Sequence, residues 1–385
     1  MVKLFVQKLQ RIEVMKKNLL TAVIISVLSI LLIITLGSTL LLMGGDKFWP
    51  EFNSSTDTEG AEDEEITLPP PMELADERHL SFILTKDDKA YTVVGLFSDT
   101  GAINIVIPET YNGLPVIGIE NNAFASSSEL VSLTMPDTIK YIGQAAFEGC
   151  TNLENLNLSP NLEYIGEYAF DGCDSLDFTE YDNAFYLGDE EDPYTILMYA
   201  KDTDIESCNV HKDTRIIYSG AFYECADLNE ISIPDTIKQI GIGAFDECYD
   251  LFPNPNEDDP DYKYTKSAHY IGNEDNPYLI LVEARDKRNV TSIEIHPDTQ
   301  IIAPGAFFEC EKLESINIPD SLCVIGEYAF EGCTSLEAVS INSDSSWRVY
   351  DPEAVYNNLL VSANVYTDFT KSLVQAYYYC AWIKH

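Results

Sequence analysis

Apolar and polar positions recur in a fixed order along this chain, most completely in Leu228 to Cys248, which reads LNEISIPDTIKQIGIGAFDEC. Leu228, Ile231 and Ile233 follow L-x-x-I-x-I, and the alternation of the last part predicts a short strand. Pro234 ends that strand, because proline has no N–H to give a ladder, and with Asp235 it predicts a turn. Ala244, Phe245 and Cys248, at i, i+1 and i+4, place three apolar side chains on one side of a short helical turn. The Ala-Phe pair returns at Phe124, Phe147, Phe170, Phe222, Phe245, Phe307 and Phe330, and four of the six intervals are 23 residues. A cysteine follows three residues after the Phe at Cys150, Cys173, Cys225, Cys248, Cys310 and Cys333, with Ser127 in the first unit. A further pair, Ala184-Phe185, lacks this context.

Repetition at this spacing predicts a solenoid. One unit cannot bury both its faces, so each is expected to stack on its neighbours. Stacking puts Ile231 in register with Leu133, Leu156, Cys208, Ile293 and Ile316, and the phenylalanines with one another, in core ladders running the length of the domain. The pattern L-x-x-[LI]-x-I-P-x-x-[IL]-x-x-I-G-x-x-A-F-x-x-C, found from about Ile103 to Ile341, closely resembles the leucine-rich repeat of the BspA-like bacterial surface proteins. The resemblance implies an α/β leucine-rich repeat fold, a curved right-handed solenoid with short parallel strands on its concave face. It also implies adhesion to proteins or other cells.

Two interruptions break the rhythm, and they resemble each other. Tyr186 to Tyr194, YLGDEEDPY, matches Tyr270 to Tyr278, YIGNEDNPY, 84 residues later, and each runs on into an apolar strand, Ile196 to Tyr199 or Leu279 to Val282. Strand, polar turn and strand predict β-hairpin insertions near 181–202 and 264–286. After each, His211 and His296 stand at the repeat position that Pro234 occupies, which points to a shared structural role. Ahead of the first full repeat, Leu80 to Leu84, Tyr91 to Leu96 and Ile103 to Ile107 predict a three-stranded meander that covers the exposed first rung. Beyond Val339 to Ile341 the pattern dissolves into an aromatic-rich end expected to form a C-terminal cap with a helix around Thr370 to Trp382.

The N-terminal stretch has a different character. Leu19 to Met43 holds no charged residue and is long enough to cross a bilayer as a helix. Lys3, Lys8, Arg11, Lys16 and Lys17 before it are expected to keep that end in the cytoplasm. A cleavable signal peptide is the competing reading, but its apolar part is normally shorter and ends at a small-residue site absent here. The expected plan is a cytoplasmic tail at 1–18, a transmembrane anchor at 19–45 and an acidic, Pro-containing linker at 46–75. An N-terminal β cap at 76–120, the solenoid at 121–341 and a C-terminal cap at 342–385 follow. This places the C-terminal domain outside the cell.

Composition then narrows the chemistry. A formal net charge of −41 over 385 residues repels nucleic acid and anionic lipid, and it serves either solubility or the recruitment of a basic partner. The repeat cysteines recur on neighbouring rungs, so they are either bridged in adjacent pairs or apolar core thiols. Asp189 to Asp192 and Asn273 to Asn276 carry oxygen ligands without the spacing of a known calcium loop, and no C-x-x-C occurs. Gly241 recurs as Gly143, Gly166 and Gly326, so Gly241-Ile242-Gly243 is repeat structure and not part of a phosphate loop. No G-x-S-x-G or H-E-x-x-H is present, and neither enzyme activity nor a cofactor or metal is expected.

What remains is binding. The outward strand residues, such as Ser132, Thr134, Asn155, Asn157, Ser315 and Asn317, are small and polar, whereas binding hot spots favour large aromatic side chains. The hairpins instead carry Phe185, Tyr186, Tyr194, Tyr270 and Tyr278, which are the candidate ligand-binding residues; the alternative is that they pack the hairpins onto neighbouring rungs. The expectation is a membrane-anchored extracellular module for a protein or cell-surface partner. Its rival is a structural envelope protein acting by self-association.

Overall fold

The computed structural model describes residues 80–85, 88–96, 103–252, 254–340, 347–350, 373 and 379–384. The expected anchor at Leu19–Met43 and the linker after it lie outside the described residues. Among the described residues no helix is long and apolar enough to cross a membrane.

Each repeat contributes two short strands. The first is the expected L-x-x-I-x-I strand, as in Asn155–Asn157 and Ser315–Asn317; the second is Leu114–Ile119 in the first unit and a two-residue strand in the later ones, as in Tyr164–Ile165 and Val324–Ile325. Both stack in parallel on the next rung: Leu133 lies opposite Leu156, Cys208 opposite Ile231, and Ile293 opposite Ile316 and then Val339. A strand of two residues is too short to show a period of two, and so it left no sequence signal.

The Ala-Phe-x-x-Cys segment does not form the expected helical turn. In every repeat the residues two before and two after the Phe are left-handed, as at Ala145 (φ 52°) and Gly149 (φ 72°) around Phe147. A right-handed helix cannot run through them. The chain instead bends around each Phe, and its amides bond to the following rung, Phe147 N to Ala169 O at 2.8 Å and Gly149 N to Asp171 O at 2.7 Å. Among the described residues between Leu80 and Ser340 the helical segments are a 3-10 turn at Tyr249–Leu251 and one α-turn at Tyr262–Thr265. The fold is therefore a mostly-strand solenoid with parallel stacking, and the α/β expectation is corrected on this point.

Stacking explains the repeat residues. A Cβ added to Gly166 would lie 2.4 Å from Gln144 N, and one on Gly326 would lie 2.4 Å from Pro304 N. The matching positions in rungs that follow a hairpin are Tyr218 and Ala303. The phenylalanines stack at centroid distances of 5.2 and 5.7 Å through Phe124, Phe147 and Phe170, 5.5 Å for Phe222–Phe245 and 5.1 Å for Phe307–Phe330. None of the nine cysteines is in a disulfide. Buried thiols donate to the Phe carbonyl of the preceding rung, Cys150 to Phe124 O at 3.0 Å and Cys248 to Phe222 O at 3.1 Å. The slot is therefore an apolar position with one weak donor.

The core ladders do not run unbroken along the domain as expected. The first-strand sheets hold three, two and three strands, and they break at the two hairpins. Each hairpin pairs antiparallel, Ala184–Leu187 with Ile196–Ala200 and Ala268–Ile271 with Ile280–Ala284, and its outgoing strand then continues in parallel as a rung. Beyond Phe170 the next ring is Tyr218, at 6.1 Å and tilted by 42°. Gln239 covers the exposed edge of Tyr164–Ile165: Ile165 N–H donates to its Oε1 at 2.7 Å and its Nε2 donates to Ile165 O at 2.8 Å. Its side-chain amide thus acts as a further peptide unit.

At the N-terminal end Leu80–Leu84 and Tyr91–Leu96 form an antiparallel pair, whereas Ile103–Val106 joins the repeat sheet beside Leu130–Thr134 and is not the third strand of a meander. At the other end Ala381–Lys384 is a strand and not the end of the expected helix. It pairs antiparallel with Val324–Ile325 and with Trp347–Tyr350 and covers the last rung, with Trp347 and Trp382 buried. Most of the remaining expected helix lies outside the described residues.

Candidate interaction sites

The two hairpins are built alike. In the first turn Asp189 Oδ1 accepts the N–H groups of Glu191 and Asp192, at 3.0 and 2.9 Å; in the second Asn273 Oδ1 accepts those of Asp275 and Asn276, at 3.1 and 2.8 Å. An aspartate and an asparagine do the same work, so this Asx turn needs an oxygen and not a charge. Gly188 and Gly272 close the turns, where a Cβ would lie 2.0 Å from Asp192 O or Asn276 O.

Four of the five candidate binding residues meet inside two matching aromatic boxes. Tyr194 stacks on His211 at 3.8 Å and meets Tyr186 edge-on at 5.6 Å; Tyr278 stacks on His296 at 3.9 Å and meets Tyr270 at 5.6 Å. The backbone N–H groups of His211 and His296 donate to the hydroxyls of Tyr186 and Tyr270, at 3.3 and 3.4 Å. Each imidazole Nδ1 accepts the N–H two residues on, Asp213 at 3.3 Å and Asp298 at 3.1 Å. The histidines thus shape the turn after each hairpin. Tyr186 is 0% exposed and offers no surface to a partner, while Tyr194, Tyr270 and Tyr278 are half-buried. Burial pushes the Tyr270 and Tyr186 phenols up, and burial with the Asp261 carboxylate at 3.1 Å pushes Tyr278 up to about 12.

Phe185 is placed differently. It packs on Tyr199 at 5.2 Å, and Tyr199, 41% exposed, also meets Phe178 edge-on at 5.4 Å. This aromatic cluster flanks a cleft of about 470 Å³ where stacking breaks after Phe170, floored by Phe170, Met198 and Tyr218. The equivalent break after Phe245 opens a larger cleft of about 610 Å³. Its walls include Phe252 stacked on His269 at 4.5 Å, Phe308 at 38% exposure and Tyr249 at 70%. Sequence reading missed Tyr199, Tyr249 and Phe308, because the first belongs to an apolar strand and the other two to the repeat itself. Their value comes from the missing rung beside them.

Carboxylates dominate the larger cleft. Asp246 and Glu247 are exposed on its rim, while Glu283 is held by His269 at 3.3 Å and Lys287 at 3.1 Å, contacts that lower its pKa despite burial. Glu327 is buried, and the Tyr164 hydroxyl, 163 residues away in sequence, donates to it. Burial raises the Glu327 carboxyl to about 7, opposed by the Tyr164 bond and reinforced by Glu167, and it pushes the Tyr164 phenol up as well. Burial thus favours the neutral form of each group, that of Glu327 below about pH 7, and the bond links two rungs. Among the described residues no group of three or more His, Cys, Asp or Glu is arranged to hold a metal ion.

The strand face carries short polar side chains in rows: Asn104 accepts from Ser132 at 2.8 Å, and Asn155 and Asn157 follow on the next rung. Among the described residues of this face none matches the aromatic exposure at the clefts.

Known proteins bear on the fold. Residues 95–190, 197–253 and 283–385, more than half of the chain, match the family described as BspA type leucine rich repeat region, in six copies. Among solved structures the chain is similar to the T. pallidum leucine rich repeat protein, with 21% identity over 67% of this chain and 88% of that one and a TM-score of 0.30. It is also similar to a leucine rich cell surface protein from Faecalibacterium prausnitzii A2-165, with 23% identity over 71% and 78% and a TM-score of 0.30. A leucine-rich repeat protein from Bacteroides ovatus ATCC 8483 shares 23% identity over 69% and 76%, with a TM-score of 0.30. Among curated proteins none matches the sequence. The seven Ala-Phe units, their parallel stacking and the extent of the family match establish that this chain belongs to the BspA type leucine rich repeat family.

Proposed function

We propose that this chain is a membrane-anchored surface protein whose solenoid holds a protein or cell-surface partner without enzymatic chemistry. The family supports a binding or adhesion role. The observation that carries the reading is that exposed aromatic side chains, Tyr199, Tyr249 and Phe308, line the clefts at the two breaks in the solenoid. Such residues make the strongest contacts in protein interfaces, and here they line recesses that exclude water when filled. Phe185 joins the first group, while Tyr194, Tyr270 and Tyr278 brace the hairpins that form the breaks. The uncharged Leu19–Met43 segment supplies the anchor, with its basic flank inside.

The test is retention of the full chain, displayed in vesicles, on immobilised extracellular-matrix proteins and cell-surface preparations. Phe185→Ser with Tyr199→Ser and Tyr249→Ser should abolish retention, and Asn155→Ala with Asn157→Ala should leave it intact. Loss confined to the strand-face variant would move the site to the strands. Self-association of the wild type by light scattering, without retention on any surface, would favour a structural envelope role.

A further inference from the structure

We infer that the two clefts are paired docking sites for basic segments of one partner protein, each taking a lysine or arginine side chain between aromatic walls and carboxylates. The inference rests on the surface-binding reading above and names the chemistry of its partner. Both clefts arise from one cause: a hairpin interrupts the stack, so the rung before it is not followed by a regularly stacked rung. Both share one composition. The smaller is lined by Phe178 and Tyr199 with Asp171 and Asp174, and no Lys, Arg or His is among its described lining residues. The larger sets Tyr249 and Phe308 beside Asp246, Glu247 and Glu331, and its Lys287 is already held by Glu283 at 3.1 Å.

An aromatic face and a carboxylate together select a cation that also carries an apolar stem, which describes a lysine or arginine side chain. A purely apolar occupant would leave the rim carboxylates facing it, and an anionic one would be repelled by them and by the net charge of −41. Because the two clefts recur about one module apart, a partner with two basic segments engages both, and the second contact forms at a raised effective concentration.

The test uses the full chain in detergent and three labelled peptides of equal length: one bearing spaced lysines, the same peptide acetylated on every lysine, and a glutamate counterpart. The lysine peptide should bind at two per chain, and the other two peptides should not bind. Tyr199→Ser should remove one site, and Tyr249→Ser with Phe308→Ser the other, each leaving one peptide per chain with charge unchanged. Asp258→Asn with Asp259→Asn, which removes two charges outside both clefts, should change affinity less than about twofold. Should the aromatic variants keep both sites, or this control weaken binding as much as they do, binding is diffuse charge attraction and the inference fails. If the lysine peptide does not bind while surface retention persists and still needs Tyr199 and Tyr249, the inference alone falls. If the peptide binds as expected but no surface is retained, the surface-binding reading falls.

Discussion

Replacing Phe245 with alanine removes a buried ring stacked 5.5 Å from Phe222 and leaves a cavity at the end of its ladder. The expected loss is about 3–5 kcal/mol, read as a lower denaturation midpoint; a midpoint equal to wild type would mean the ring carries no packing. The thiols give a second test at this scale. Burial raises Cys173, Cys248 and Cys333 to about 12, and among the nine only Cys323 is exposed. A thiol reagent should therefore label one cysteine rapidly in the native protein and all nine after unfolding without reductant. Fewer than nine would reveal bridges. In sequence these cysteines remained open between thiol and disulfide, because rung spacing permits either and only the Sγ contact to the preceding Phe carbonyl separates them. The repeat glycines were legible as a recurrence, but their cause, a backbone 2.4 Å from the missing Cβ, is a tertiary contact that a single rung does not contain.

At the scale of elements, the hairpins were readable from strand, polar turn and strand, and from their 84-residue likeness. Their effect on the stack was not, since the break depends on how the outgoing strand pairs. Gly272→Ala tests the hairpin itself. Its Cβ would meet Asn276 O at 2.0 Å, so the turn must open, at a cost of about 1–3 kcal/mol. Hydrogen exchange should show the loss concentrated in Ala268–Ala284, and uniform or absent change would remove the tight turn from the account. The helical expectation for Ala-Phe-x-x-Cys failed for a physical reason. Spacing i, i+1, i+4 fits a helix, but residues such as Tyr168 and Glu224 adopt left-handed φ values of 57° and 63°, conformations that composition does not announce. At the C-terminal end the aromatic run suggested a helix, whereas Ala381–Lys384 satisfies the edge of the last rung, a need visible only once the rung exists.

At the scale of the whole molecule the contact of Tyr164 with Glu327 was not readable, since no local pattern joins residues 163 apart. It carries a pH prediction. The folded carboxyl is raised from 4.5 to about 7, so its neutral form stabilises the fold fully below about pH 4.5. That contribution, about 3 kcal/mol at most, is lost as pH rises through about 7, because the unfolded chain releases the proton more readily. The stability difference between wild type and Glu327→Gln should therefore shift against wild type between pH 5 and pH 8. A difference that stays constant with pH would show that this carboxyl is not held neutral. The 84-residue likeness has a wider consequence. A hairpin with its two following rungs is a cassette whose two ends are equivalent, so a chain of this design can grow or shrink by whole cassettes without inventing a new joint. Removing residues 186–269 would splice one hairpin onto the start of the next and preserve the turn, the aromatic box and the re-entry into the repeat. Each added or deleted cassette would bring or remove one break in the stack, so the number of clefts would follow the number of cassettes in the chain.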